Sequence, residues 1–219
     1  AIKYNNEGAD ELVFYDIGAS TYDGVVSKEW VKAIAEKINI PFCVAGGIKS
    51  VEQAKVILNS GADKVSVNSP AIERPELIHE LANEFGSQCV VVGIDSLMIE
   101  DDYIVYSKTG DESTATNTSI KTIDWIEKVQ ELGAGEIVLN CMDRDGVRDG
   151  YDIYQLNKMI SISNIPVIAS GGAGSMKDFK NVLTQTNSSG ALAASVFHKN
   201  LFNINDLKIY LKKESLNIR

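Results

Sequence analysis

At 219 residues, 44% of them hydrophobic, the chain has material for one domain with a substantial core. Its 30 acidic against 21 basic residues leave a net charge of -9, which disfavours nucleic acid and anionic membranes as partners and confines anion binding to backbone amides and helix termini. No apolar run approaches the ~20 residues of a membrane span, no secretory leader pattern is visible, and the 3 cysteines, Cys43, Cys89 and Cys141, fall in strand-like runs, as expected of reduced core thiols in a cytoplasmic protein.

In chain order, Ala1-Ile2-Lys3-Tyr4 reads as the last turns of a helix. Strands are predicted over 11–17, 41–45 and 64–68, with amphipathic helices over 27–37, 51–60 and 74–85 between and after them. A fourth strand over 89–94 leads into a polar hairpin within 99–120, where Tyr103-Ile104-Val105-Tyr106 precedes Lys108-Thr109-Gly110-Asp111-Glu112-Ser113. That hairpin is either loop decoration or a lid over the mouth of the fold. A helix over 122–132, strands over 136–142, 166–170 and 191–196, and a helix over 204–213 complete the alternation. Strands apolar at consecutive positions are buried on both faces, and helical crossovers make the sheet parallel.

One text is written twice. Pro41-Phe42-Cys43-Val44-Ala45-Gly46-Gly47 returns as Pro166-Val167-Ile168-Ala169-Ser170-Gly171-Gly172, and Gly8-Ala9-Asp10-Glu11-Leu12-Val13 returns as Gly133-Ala134-Gly135-Glu136-Ile137-Val138, both displaced by 125 positions. This register predicts a single α/β domain over 1–219, a (β/α)8 TIM barrel built from two duplicated half-barrels. Such a barrel has eight strands, and seven are predicted. The mate of the strand ending at Asp95 would lie 125 positions earlier, before residue 1, so a first βα unit of ~30 residues is expected ahead of this text.

In barrels of this kind chemistry gathers at the C-terminal ends of the strands. Asp16, Asn68, Asp95, Asn140, Asp145, Ser170 and Ser195 all stand there. Asp and Asn at such places also cap helices and turns. Asp95 has the stronger case, because Val90-Val91-Val92-Gly93-Ile94-Asp95 runs a carboxylate straight off a buried strand toward the mouth, where it can serve as acid or base. Two glycine-bearing turns at equivalent places predict two phosphate seats, one from Gly47, Asn68 and Ser69, the other from Gly146, Gly171, Gly172 and Ser195, and hence a substrate phosphorylated at both ends. Backbone geometry alone also asks for glycine in strand-to-helix turns. His79 and His198 stand apart from one another and from the cysteines, so no metal site and no hydrolytic triad is predicted.

These residues resemble the cyclase subunit of imidazole glycerol phosphate synthase, a family of histidine biosynthesis. The likeness covers the whole text and is specific in Glu11-Leu12-Val13-Phe14-Tyr15-Asp16-Ile17, Phe42-Cys43-Val44-Ala45-Gly46-Gly47-Ile48-Lys49-Ser50, residues 61–70, 109–113 and 191–198. It implies a lyase that uses ammonia to split a phosphoribulosyl-formimino aminoimidazole carboxamide ribonucleotide into imidazole glycerol phosphate and an aminoimidazole carboxamide ribonucleotide, with no cofactor. It implies two aspartates as acid and base: Asp95 matches the second, and the first falls ahead of residue 1. Gly47, Asn68 and Ser69 match one phosphate seat, Asp145, Gly146, Gly172 and Ser195 the other, and Asp16 and Asn140 match residues lining the mouth. Ammonia would come from a glutaminase subunit forming a heterodimer on the N-terminal face, through a gate of Glu11, Lys64 and Glu136, with Asp63 on the docking surface. A salt-bridge ring that merely closes the barrel bottom would use the same charges. Two other readings share the barrel: the related phosphoribosyl-formimino isomerase, disfavoured by 109–113 and by Gly150-Tyr151-Asp152, and an ammonia-handling paralogue serving a different amidation.

Overall fold

The computed structural model describes residues 1–16, 26–111 and 113–219. The first half contains α1 (Ile2–Asn6), β1 (Leu12–Tyr15), α2 (Lys28–Ala35), β2 (Phe42–Ala45), α3 (Val51–Asn59), β3 (Lys64–Val67), α4 (Ser69–Glu73) and α5 (Glu76–Phe85). Then come β4 (Val90–Ile99), the hairpin β5 (Asp102–Ser107) and β6 (Thr116–Lys121), α6 (Thr122–Glu131), β7 (Glu136–Cys141) and α7 (Ile153–Ile160). The chain ends with β8 (Val167–Ser170), α8 (Met176–Gln185), β9 (Gly190–Ala191), α9 (Ser195–His198) and α10 (Ile204–Lys213). Side-chain caps set several helix starts: Ser27 accepts from Trp30 N–H, Ser50 from Gln53 N–H, Asp152 from Gln155 N–H, and Ser175 forms a reciprocal box with Asp178.

The parallel strands run in the order β1-β2-β3-β4-β7-β8-β9, and the hairpin β5–β6 hangs antiparallel from the far half of β4. Alternation along the strands sorts the apolar residues into two cores. Phe42, Val44, Val65, Val92, Leu139 and Ala169 face outward into the large core beneath the helices. Cys43, Val91 and Val138 face the axis, packed with Val13, Ile168 and Leu192. Strand residues are thus covered on both sides, as the run of apolar positions requires.

The duplication in the text is a duplication in the ladders. Leu12 pairs with Phe42, Val13 with Cys43, Phe14 with Val44 and Tyr15 with Ala45; moved by 125, these become Ile137 with Val167, Val138 with Ile168, Leu139 with Ala169 and Asn140 with Ser170, the observed β7–β8 register. Gly46 (φ +124°) and Gly171 (φ +91°) occupy the same corner of each copy, and a Cβ on either would stand 2.7 Å from a carbonyl oxygen, that of Asp16 or of Cys141. Glycine is required at both for one reason, a close backbone approach at positive φ.

Several expectations shift at their edges. The strand expected over 191–196 is only Gly190–Ala191; residues 192–194 leave the sheet and Ser195 begins α9. Ser195 is then the structural counterpart of Ser69, which begins α4 after β3, at a displacement of 126 and so one residue beyond the 125 of the earlier strands. The fourth strand starts at Val90 and runs on to Ile99 because β5 pairs with its far half. Cys89 consequently sits in a 3₁₀ turn, half-exposed and outside the strand, while Cys43 and Cys141 are buried; all three are free thiols. The helix expected over 74–85 begins at Glu76. Ile17, the expected end of the first strand, and Glu112 of the hairpin lie outside the described residues.

β1 and β9 are the two ends of the strand path, and among the described residues no ladder joins them. Helices bridge that seam. Tyr4 on α1 shares a hydrogen bond with His198 Nδ1 on α9, Lys3 donates to the Asn200 side chain, and Lys208 on α10 pairs with Asp10 at 2.7 Å. No helix among the described residues is long and apolar enough to cross a membrane.

Candidate active site

A cavity of about 690 Å³ opens where the C-terminal ends of the parallel strands converge. Every residue singled out for chemistry lines it: Asp16, Gly47, Asn68, Ser69, Asp95, Asn140, Asp145, Gly146, Ser170, Gly171, Gly172 and Ser195. Their strand parity explains the gathering. Tyr15, Asn140 and Ser170 stand two positions after axis-facing Val13, Val138 and Ile168, Asp95 four after Val91, and Asn68 two after Ser66, the ladder partner of Val91, so each shares the parity of the mouth.

Asp95 lies at the centre of the polar contacts. Asn68 Nδ2 donates to its Oδ2 at 2.7 Å, and Asn140 Nδ2 donates to its Oδ1 at 2.8 Å. One amide comes from the end of β3 and the other from β7, the two neighbours of β4, so the carboxylate is clamped from both sides of its own strand. A third donor comes from above: Thr109 Oγ1, at the tip of the hairpin, reaches Oδ2 at 2.5 Å. All three partners donate, which suits a side chain working as a proton acceptor. Asn68 gives its nitrogen to Asp95 and keeps a buried Oδ1 with no hydrogen-bond partner among the described residues, an acceptor left for a bound molecule or water.

The two glycine turns flank this carboxylate. On one side stand Gly47 (φ +66°), Asn68 and Ser69; on the other, Gly172 (φ +109°) and Ser195. Asp145 and Gly146 complete the second side, while Asp143 of the same Asp-Arg-Asp-Gly run turns away to accept from Met98 N–H at 3.1 Å. Buried Tyr151 donates from its hydroxyl to Leu192 carbonyl oxygen at 3.0 Å and so anchors the stretch that leads to Ser195.

Sequence reasoning missed three contributors to this mouth. Lys108 and Thr109 reach it only because the hairpin folds back, and Tyr15, 53% exposed, lines it beside Asp16. The hairpin reads in the sequence as decoration or a lid, but nothing in its spacing says which side chains it turns toward Asp95. At the opposite, N-terminal end, Lys64 Nζ lies 2.9 Å from Glu11 Oε2 and 3.0 Å from Glu136 Oε2, all three partly buried. Burial lowers the Lys64 pKa, but hydrogen bonds and charge from both glutamates outweigh it and leave the ammonium above its ordinary value. Directly above, burial pushes the Cys43 thiol far up, reinforced by Glu11 and Glu136. Asp63 is exposed beside this ring and accepts Phe42 N–H at 2.9 Å.

Comparison with known proteins places this architecture. Residues 1–203 match the family model described as histidine biosynthesis protein. An imidazole glycerol phosphate synthase subunit HisF from Pseudoalteromonas translucida (strain TAC 125) is 59% identical over 218 residues, covering 99% of this chain and 85% of the relative. The HisF subunit from Vibrio cholerae is 58% identical over 221 residues, and the subunit hisF1 from Vibrio vulnificus 57%, each covering 100% of this chain and 86% of the relative. With family match, identity and duplicated ladders in agreement, the chain belongs to the histidine biosynthesis protein family, alongside the HisF subunits of imidazole glycerol phosphate synthase.

Proposed function

We propose that this chain is the cyclase subunit of imidazole glycerol phosphate synthase, a lyase that closes an imidazole ring with ammonia delivered by a glutaminase partner. The observation that carries the reading is one mouth in which a doubly clamped carboxylate, Asp95, stands between two seats built from duplicated backbone. A substrate with a phosphate at each end fits that symmetry. Gly47, Asn68 and Ser69 hold one phosphate; Asp145, Gly146, Gly171, Gly172 and Ser195 hold the other; Asp16, Asn140 and Ser170 line the space between. Both ends being fixed, the central atoms are held over Asp95, and most of the catalytic benefit comes from that positioning. Asp95 moves a proton as the ring closes and the carboxamide ribonucleotide departs.

Ammonia would enter from the face opposite the mouth. The ring of Glu11, Lys64 and Glu136 stands at that entrance, and the apolar layer of Cys43, Val91 and Val138 lies between it and Asp95. A neutral molecule passes such a layer at little cost, whereas ammonium would have to shed its water. Asp63 and Glu11 form part of the surface offered to the glutaminase. Turnover of the bisphosphate substrate with an ammonium salt tests the reading: product formation without glutamine is expected, rising with pH as free ammonia rises. A protein that binds the bisphosphate yet forms no imidazole product would point to a barrel serving another amidation.

A further inference from the structure

The hairpin β5–β6 does more than cover the mouth. Its tip is tied to α4 at two points, where Lys108 N–H donates to Ser69 Oγ at 2.8 Å and Lys108 Nζ pairs with Glu73 at 3.2 Å, and is closed on itself by Thr114 Oγ1 donating to the Lys108 carbonyl at 2.7 Å. Lys108 itself takes a positive φ of 56°, a turn that directs the next residue inward. The consequence is that Thr109 Oγ1 is held at 2.5 Å from Asp95 Oδ2, the same oxygen that Asn68 already serves. We propose that Thr109 is a positioning residue for the reaction, holding the Asp95 carboxylate in its working orientation through its hydroxyl. This rests on the cyclase reading for the reaction it serves, though not for the contact itself.

The chemistry of the contact defines what it does. A hydroxyl donor to a carboxylate fixes the direction of the oxygen it serves, so its removal frees the carboxylate to rotate about its last bond. With Asn140 on Oδ1 and Asn68 on Oδ2, Asp95 keeps two donors without Thr109, but loses the one that arrives from outside the barrel wall. The other titratable groups lining the same cavity are Tyr15 and Asp16 from β1, Lys49 after β2, Glu73 on α4, Lys108 on the hairpin and Asp145 after β7; none of them replaces a hydroxyl at Oδ2.

Thr109→Val keeps the shape and removes the hydroxyl; Thr109→Ser keeps the hydroxyl and removes a methyl. In the intact chain, carbonyl-13C NMR of labelled aspartate at one fixed pH, with the Asp95 signal assigned by its loss in Asp95→Asn, reads the surroundings of the Asp95 carboxylate without any turnover. The Val variant is expected to displace that signal and the Ser variant to restore it. In steady-state kinetics with ammonium salt, Thr109→Val is expected to lower kcat by about tenfold or more and to leave KM within about twofold, with Ser close to wild type. An Asp95 signal that is identical in wild type, Val and Ser variants overturns the proposal. So does an active wild type whose Val variant keeps its kcat. A wild type without ammonia-dependent turnover would sink the cyclase reading, while the NMR signal still decides the Thr109 contact.

Discussion

Asp95 Oδ1 and Oδ2 together accept three hydrogen bonds, and each donor constrains a different freedom of the side chain. Asp95→Asn places an amide among donors, so one of its groups must face another N–H, and it cannot take a proton. Turnover is expected to fall by about 10² or more with KM nearly unchanged, as measured by steady-state kinetics with ammonium salt. At the other end of the axis, Lys64→Met would leave Glu11 and Glu136 partly buried without their counter-charge, costing about 1–3 kcal/mol in denaturant titrations. The pH dependence follows from the raised Lys64 pKa. A group whose pKa is raised by folding stabilises fully below its unfolded value, about 10.4, and ceases to do so as pH climbs through the folded value. The gap in Tm between wild type and Lys64→Met is therefore expected to be constant from neutral to mildly alkaline pH and to close above about pH 10.5. A gap that closes near neutrality would assign it to something other than Lys64.

Among elements, the two glycine corners are the most constrained. Gly46 and Gly171 each bring a would-be Cβ to 2.7 Å from a backbone carbonyl, at positive φ in both cases. Alanine at either position must move a strand end or strain the chain, at about 1–3 kcal/mol for the backbone alone. Because the two corners repeat one another, Gly46→Ala and Gly171→Ala are expected to lower stability by similar amounts in urea unfolding; a loss at only one of them would show that the copies have diverged energetically. Tyr151 gives the second copy a strut that the hydroxyl supplies, spanning from the start of the α7 segment to the Leu192 carbonyl. Tyr151→Phe takes the hydroxyl donor from that partly buried carbonyl and should cost about 1 kcal/mol. Affinity for inorganic phosphate at the seat containing Ser195 should fall with it, as isothermal titration calorimetry would report.

For the molecule as a whole, the seam lies between β1 and β9, the two ends of the strand path. Among the described residues no ladder joins these edges, and edges left so are templates for association. Two contacts span the seam: α1 meets α9 through Tyr4 with His198, and α10 meets the segment before β1 through Lys208 with Asp10. We expect one further βα unit supplied at this seam, fused or added in trans, to raise Tm and suppress concentration-dependent growth in light scattering. An unchanged Tm with the unit demonstrably bound would show that the helical bridge already carries the closure.

Some of this was legible without coordinates. The 125-residue displacement carries the β1–β2 ladder onto the β7–β8 ladder residue for residue, because strand register is written in the two-residue alternation that sends Val13 and Cys43 to the axis and Phe14 and Val44 to the helices. The same parity put Asn68, Asp95, Asn140 and Ser170 into one mouth, and the glycine pairs marked corners where only a missing Cβ allows the backbone approach. Tertiary structure alone decided who touches whom. Asn68 lies 27 positions before Asp95, and Asn140 lies 45 after it, yet both amides meet its carboxylate, because sheet neighbours are chosen by the crossovers between them. Thr109 reaches the same atom because a hairpin turns back over the mouth, and Ser195 starts a helix because the chain lifts off the sheet after Ala191. Burial and backbone dihedrals are largely local properties, readable from spacing; the aim of a polar side chain depends on the path of loops, and that path is settled only when the whole fold is packed.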